Sequence, residues 1–274
     1  MKLNQLLYLL VIVFLQLSSG MAAETVEWPH AHGMSTTELE NFLATATVTS
    51  MKRTKLGITK PHKIGLKKNN IEIKALFKTY SNYSSFRRKG PRSKEINSAD
   101  RFEYDITAYK LGQLLGLNMI PVTVIRKIKG KTGAVVFWIE NALVYKHIHA
   151  NKLKELDGCH YKKQHSIMYV FDILIYNDDR NMGNLLYTTD DCRLWLIDHS
   201  RTFRMKNGIS KNLPNNKIRL SEELAQKLRR LNYQLLEDHI GEFLNKYQID
   251  FILKRRDLIL QKWKDNGNLD FQDG

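Results

Sequence analysis

Asn177-Asp178-Asp179-Arg180-Asn181-Met182-Gly183-Asn184, followed by a short apolar run, a Thr-Thr-Asp-Asp turn at 188–191 and then Leu194-Trp195-Leu196-Ile197-Asp198, is the stretch that decides the reading of this chain. Asp179 precedes Asn184 by five residues, and Asp198 follows Asn184 by fourteen. The segment between them reads as two short strands, at 185–187 and 194–197, joined by the turn. A hairpin of that kind would aim the Asn and the second Asp at one point. One acid that accepts a hydroxyl proton, with an amide oxygen and a second carboxylate that hold a divalent cation on phosphates, is the set of groups that phosphoryl transfer requires.

Working outward, residues 165–176 are apolar almost all round, as a buried helix would be, and they deliver the chain into the polar string. Upstream, Ile71, Ile73, Ala75 and Phe77 share one face of an alternating strand, which places Lys78 on the other face beside Leu76. A helix over 102–116 follows, closing at Gly116. Asp105 is the acid favoured on this helix to position Lys78, with Glu103 as the alternative. Before the lysine strand, the pattern predicts strands at 56–59 around Gly57 and at 64–66, and a first helix opened by the capping box Ser35-Thr36-Thr37-Glu38. Strands are expected at 122–125 and 134–139, and helix from 221 to about 265 with a break near 245–248. The segment 81–100 has no periodicity and reads as a loop carrying Arg87-Arg88-Lys89-Gly90-Pro91-Arg92-Ser93-Lys94.

These elements carry a resemblance. DRNMGN followed by LWLIDHSRTF resembles the Asp-Arg-His-x-x-Asn and Ile-Asp-Phe-Gly elements of phosphatidylinositol 3- and 4-kinases. GITKPHKIGL resembles the first strand and phosphate loop, KALFK the lysine strand, YDITAYKLGQLLGLNMIP the helix and next strand, and LKRRDLIL the closing helix of the same group. The chain as a whole is similar to the atypical kinase-like group that includes bacterial phosphatidylinositol-kinase-like proteins and the secretory-pathway kinases related to four-jointed. Four positions depart from the pattern: Asn181 stands for His, His199-Ser200 for Phe-Gly, and Asp105 for Glu.

The resemblance implies an α+β, two-lobed protein-kinase-like fold, with a small antiparallel-sheet N-lobe at 24–145 and a mainly helical C-lobe at 146–274. It implies an ATP-dependent phosphotransferase using Mg or Mn. Asp179 is then the base, Lys78 holds phosphates, Asp105 positions Lys78, and Asn184 and Asp198 are the metal ligands. A strict glycine-rich loop is missing, so Gly57, Thr59 and Lys60 are expected to cover the nucleotide phosphates together with Lys78. The acceptor expected first is a protein hydroxyl and second a lipid headgroup or small polyol. A nucleotide-binding pseudokinase and a polyanion-binding module are the readings without transfer.

Composition bounds the rest. The 274 residues suffice for one large domain or two small ones, and 43 Lys+Arg against 28 Asp+Glu favour an acidic partner. Nucleic acid is not the partner expected, whereas the basic stretch at 87–94 would suit an anionic surface. Lys2, an apolar run from 6 to 15 extended through Gln16 to Leu17, and small residues up to Ala23 read as a secretory signal over 1–23, and its removal leaves the basic excess in place. Export would let Cys159 and Cys192 pair, although the sequence leaves both outcomes open. The pairs His30/His32 and His147/His149 lack an evident third ligand for zinc. Arg255, Arg256 and Asp257 read as ordinary ion-pairing positions of the last helix.

Overall fold

The computed structural model describes residues 27–54, 60–90, 93–151, 159, 161–213 and 216–271. In chain order, β1 (Glu27–Trp28), a 3-10 turn (Pro29–Ala31) and β2 (Met34–Ser35) lead into helix α1 (Thr36–Thr45). The expected capping box forms: the Ser35 hydroxyl accepts the Glu38 N–H, and Glu38 accepts the Ser35 N–H at 2.8 Å. Strands β3 (Thr47–Arg53), β4 (His62–Lys68) and β5 (Ile71–Lys78) follow, and then a two-stranded ribbon of β6 (Ser81–Gly90) and β7 (Ser93–Arg101). Helix α2 (Phe102–Leu114) leads to β8 (Thr123–Ile128) and β9 (Lys131–Phe137). The five-stranded antiparallel sheet has the order β3-β4-β5-β9-β8.

A second, three-stranded sheet joins β10 (Leu143–Val144), β11 (Leu185–Thr188) and β12 (Arg193–Leu196). Around it lie α3 (Tyr145–Asn151), α4 (Lys162–Leu174), α5 (Glu222–Arg230), α6 (Tyr233–Ile240) and α7 (Lys246–Asp265). This is the α+β plan expected, with a small antiparallel sheet ahead of a mainly helical half. Tyr169 to Leu174 of α4 are all buried, so the half of the helix that leads into the polar string is anchored in the core and its exit point is fixed. Gly116 follows α2 in the left-handed conformation (φ 67°), where a residue without Cβ ends a helix at least strain.

Three expectations need correction. Residues 81–100 are not a loop: β6 and β7 pair from Ser81↔Arg101 to Gly90↔Ser93. An isolated ribbon is held by its ladder and needs no apolar alternation, so the periodicity used to recognise strands had nothing to report. The sheet's first strand is β3, an edge strand mostly exposed and therefore equally without a pattern; the strand expected at 56–59 lies outside the described residues. The last helical region breaks twice, at Leu231–Asn232 and at 241–245, because Asn232 and Asn245 each cap a new helix with a side-chain oxygen.

Cys159 and Cys192 are joined in a disulfide, with Cα atoms 5.2 Å apart, that closes over the β11–β12 turn. No helix among the described residues is long and apolar enough to cross a membrane. The segment expected to be a signal, 1–23, lies outside the described residues.

Candidate active site

The site is assembled at the junction of β5, α2 and the two segments that flank the β11–β12 hairpin. The chain turns from β7 into α2 beside the end of β5: the Phe102 N–H donates to the Tyr80 carbonyl at 2.9 Å. Asp105, one turn into the helix, therefore stands against Lys78. Their Nζ and Oδ2 atoms are 2.5 Å apart, and both side chains are buried. Lys78 Nζ also donates to Asp198 Oδ1 at 2.9 Å, so one ammonium bridges two carboxylates.

Asp105 has a second duty. Its Oδ1 accepts the backbone N–H of His199 at 2.9 Å, while the Arg101 N–H donates to the Ser200 carbonyl at 2.8 Å. The helix start is thereby bonded to the loop that carries Asp198. This close approach explains why a carboxylate one methylene shorter than Glu suffices here. Asp198 itself has φ 58°, a left-handed conformation that an Asp enters at some expense, and strain of this kind is retained where a side chain must be aimed.

The pair of acids is polarised by its surroundings. Lys78 holds the Asp198 carboxyl far below the ordinary carboxylate range, against the opposing effect of burial. Burial pushes the Asp105 carboxyl up, and Lys78 only partly reverses this. For Lys78, burial pulls the ammonium down, but Asp105 and Asp198 together leave it above the usual lysine range. The result is a permanently charged lysine held between its two acids.

The segment 177–184 is folded on itself by its own amides. Asn177 Nδ2 donates to Asp172 Oδ1 at 2.8 Å, and Asn177 Oδ1 accepts the Asp179 N–H at 3.1 Å. Asn181 donates to the Asp179 carbonyl and accepts the Gly183 N–H at 2.8 Å, so its work is to brace the turn. Asn184 Nδ2 donates to the Asp179 carbonyl at 3.1 Å, leaving Oδ1 without a hydrogen bond among the described residues. The Ile197 N–H donates to the Asn184 carbonyl at 3.2 Å, which sets Asn184 beside the approach to Asp198.

Asp198 Oδ1 is engaged by Lys78 and by the Ser200 hydroxyl at 3.2 Å, while Oδ2 has no hydrogen bond among the described residues and the side chain is 49% exposed. A free carboxylate oxygen and a free amide oxygen are hard donors, the type that suits Mg²⁺ or Mn²⁺.

Several residues that the sequence reading did not single out complete the site. Arg201 reaches back with Nη1 to Asp179 Oδ2 at 3.0 Å and with Nε to Asp100 Oδ2 at 2.9 Å. Burial lifts the Asp179 carboxyl above the ordinary aspartate range, and Arg201 draws it partly back. Arg180 fastens the polar loop from inside: it grips buried Asp172 through two bonds of 2.9 Å and donates to the carbonyls of Asn184 and Ile197 at 3.1 and 3.0 Å. His199 lies 3.0 Å from the same guanidinium, and burial followed by the Arg180 charge keeps the imidazole neutral, well below its usual range.

Arg255 is not the surface ion-pairing residue expected of α7. It is fully buried and donates to the carbonyls of Leu174, Arg204 and Lys206 at 2.8, 3.0 and 2.9 Å. Only proximity in the fold could have revealed these partners, which come from distant segments.

Of the residues expected over the phosphates, Lys60 lines a small cleft together with Pro61, Lys78, Thr79, Tyr80, Asp100 and Ser200. Gly57 and Thr59 lie outside the described residues. The side chains of Lys78, Asp105 and Asp198 are in contact, and Asn184 and Asp179 share the adjoining loop.

Comparison with known proteins adds the fold. No protein-family model matches the chain, and no curated protein matches it. Among solved structures, one described as hydra Fam20 with sugar superposes with a TM-score of 0.60 at 14% identity, over 85% of this chain and 90% of that one. A Golgi casein kinase structure gives 0.57 at 15% identity over 86% and 77% of the two chains. A structure described as the Golgi casein kinase with Mn/ADP bound gives 0.57 at 13% over 96% and 89%. The chain therefore has the fold of these kinases.

Proposed function

We propose that the chain is an ATP-dependent phosphotransferase of the atypical kinase type, acting on a protein hydroxyl in an exported compartment. The observation that carries the reading is the Asp105–Lys78–Asp198 bridge, with the loop of Asp179 and Asn184 beside it. A buried lysine held charged between two acids is a phosphate-binding device, and the Mn/ADP-bound structure of the same fold supports a nucleotide and a divalent cation as its ligands. The lobes divide near residue 145, into 24–145 and 146–274.

In this reading Lys78 binds nucleotide phosphates, Asp105 fixes the lysine, and Asn184 and Asp198 supply oxygen ligands to Mg or Mn. A cation held there would neutralise charge developing on the phosphates. Asp179 orients the acceptor hydroxyl and takes its proton, and Gly57, Thr59 and Lys60 cover the phosphates. The Golgi kinases sharing the fold favour a protein acceptor, and the DRNMGN and LWLIDHSRTF segments keep a lipid headgroup as the next to try. The apolar N-terminal segment and the Cys159–Cys192 disulfide support export, because disulfides persist in oxidising compartments. The basic stretch 87–94, on the β6–β7 ribbon, would draw an acidic substrate or membrane surface towards the cleft.

The test is transfer of label from γ-labelled ATP by the purified chain with Mg or Mn, against protein, lipid and polyol acceptors. Label on an acceptor, or on the chain itself, in either metal and none in chelator is the expected result; no transfer with either metal sinks the reading.

The Arg201–Asp179 pair gives this activity a signature. A base must be ionised, so the rate should fall as pH drops through the Asp179 pKa. Arg201 holds that pKa down. Arg201→Met should therefore move the acid limb of the pH–rate profile to higher pH, with a smaller loss on the alkaline plateau. An unmoved acid limb would show that Asp179 is not the titrating base.

A further inference from the structure

The imidazole of His30 has its partners outside the His-x-His pair. They come from the β11–β12 turn: His30 Nε2 lies 3.7 Å from Asp190 Oδ1 and 3.5 Å from Asp191 Oδ2, and the three ligand atoms fall within 4.8 Å of one another. The His30 side chain is only 6% exposed, and among the described residues neither its Nε2 nor Asp191 Oδ2 makes a hydrogen bond. A buried nitrogen that stands 3.5 and 3.7 Å from two carboxylates without a hydrogen bond to either is placed to share an ion with them.

We propose that His30, Asp190 and Asp191 form a zinc site, separate from the phosphate cleft. Tetrahedral zinc with bonds of about 2.1 Å spaces its ligand atoms about 3.4 Å apart, whereas octahedral neighbours at that bond length would stand about 3.0 Å apart. The separations of 3.5 and 3.7 Å match the first spacing better. One imidazole with two carboxylates is also a donor set that zinc accepts, and the 62% exposed Asp190 leaves the fourth position open to water.

The surroundings orient these ligands. The Trp195 indole N–H donates to the Thr188 hydroxyl at 2.9 Å, and that hydroxyl donates in turn to Asp191 Oδ1, so the second oxygen of Asp191 faces the site. The His30 ring packs edge-on against Trp195, with centroids 6.1 Å apart. Arg193 is the competing cation: its Nε lies 3.3 Å from Asp191 Oδ2, but its guanidinium is stacked 4.9 Å from the Trp195 ring and 5.8 Å from that of Trp28. It offsets one carboxylate, leaving the cluster one negative charge for a dication to meet.

The place gives the ion a purpose. The turn that carries Asp190 and Asp191 is the tip of the hairpin between Asn184 and Asp198, and Cys192 of the same turn bears the disulfide. Zinc would fasten this tip to the N-terminal segment 29–31, as the disulfide fastens it to Cys159.

The experiment uses the disulfide-intact chain carrying Asp198→Ala, which removes a ligand from the phosphate cleft, and measures zinc by competition with a chromophoric chelator and by Co²⁺ absorption. One zinc per chain is expected, together with a tetrahedral Co²⁺ spectrum. Adding Asp190→Asn, at an exposed position that can hardly unfold the chain, or His30→Gln, should weaken zinc at least tenfold and erase the spectrum. Circular dichroism checks the fold of each. Zinc that fails to bind the Asp198→Ala chain, or binds Asp190→Asn and His30→Gln equally well, overturns the site and leaves a polar contact between His30 and the turn.

Discussion

Asp198→Ala is expected to lower phosphoryl transfer by at least 100- to 10,000-fold while leaving the chain folded. Loss of one general base costs a reaction of this kind about that much, and loss of a metal ligand should be comparable. The fold should survive because the Asp198 side chain is half exposed and Lys78 keeps its 2.5 Å contact with Asp105. No buried charge is orphaned. Asp198→Asn sharpens the experiment: it keeps the shape and an acceptor for the Ser200 hydroxyl but removes the charge, so a loss nearly as large would assign the effect to cation binding rather than to packing. Stabilisation by metal plus ADP in a thermal melt should disappear in both variants. Transfer within about threefold of the unaltered chain would place the reaction, if any, elsewhere.

The parts of this site legible in the sequence are those whose geometry is local. Five residues from Asp179 to Asn184 form a turn closed by its own amides, and the strand-turn-strand to Asp198 is a hairpin whose length fixes its ends. Lys78 and Asp105 could be paired because strand alternation placed one and helix position the other. Arg201 and Arg255 were not legible, because partners of each are brought to it only by the tertiary fold: Asp100 stands 101 positions from Arg201, and Leu174 stands 81 from Arg255. An arginine within a basic chain of this composition gives no sign that it is buried. The β6–β7 ribbon and the β3 edge escaped for the opposite reason, since the ribbon's sequence shows no apolar alternation and β3 is mostly exposed. His30 shows a third kind of failure: its partners are two adjacent acids that read as ordinary turn residues.

Arg180→Met is expected to be the most destabilising single change near the site, by about 3–5 kcal/mol. Arg180 and Asp172 are 5% and 0% exposed, and two bonds of 2.9 Å join them. A methionine fills much of the same space but leaves the Asp172 carboxylate buried with Asn177 as its one remaining side-chain donor among the described residues, and it frees the carbonyls of Asn184 and Ile197. A buried charge stripped of its partner is far more costly than the pair was worth, so Arg180→Met with Asp172→Leu should recover part of the loss. For a chain of this size 1 kcal/mol moves the midpoint by about 2–4 °C, so the single variant should melt roughly 10 °C lower. Activity should fall further than stability predicts even where the variant remains folded, because the same guanidinium holds the backbone of Asn184 and of the residue preceding Asp198. A double variant as unstable as Arg180→Met alone would show that the lost carbonyl bonds, and not the orphaned carboxylate, dominate; a melting point within about 3 °C of the original would refute the account of Arg180 as the fastener of this loop.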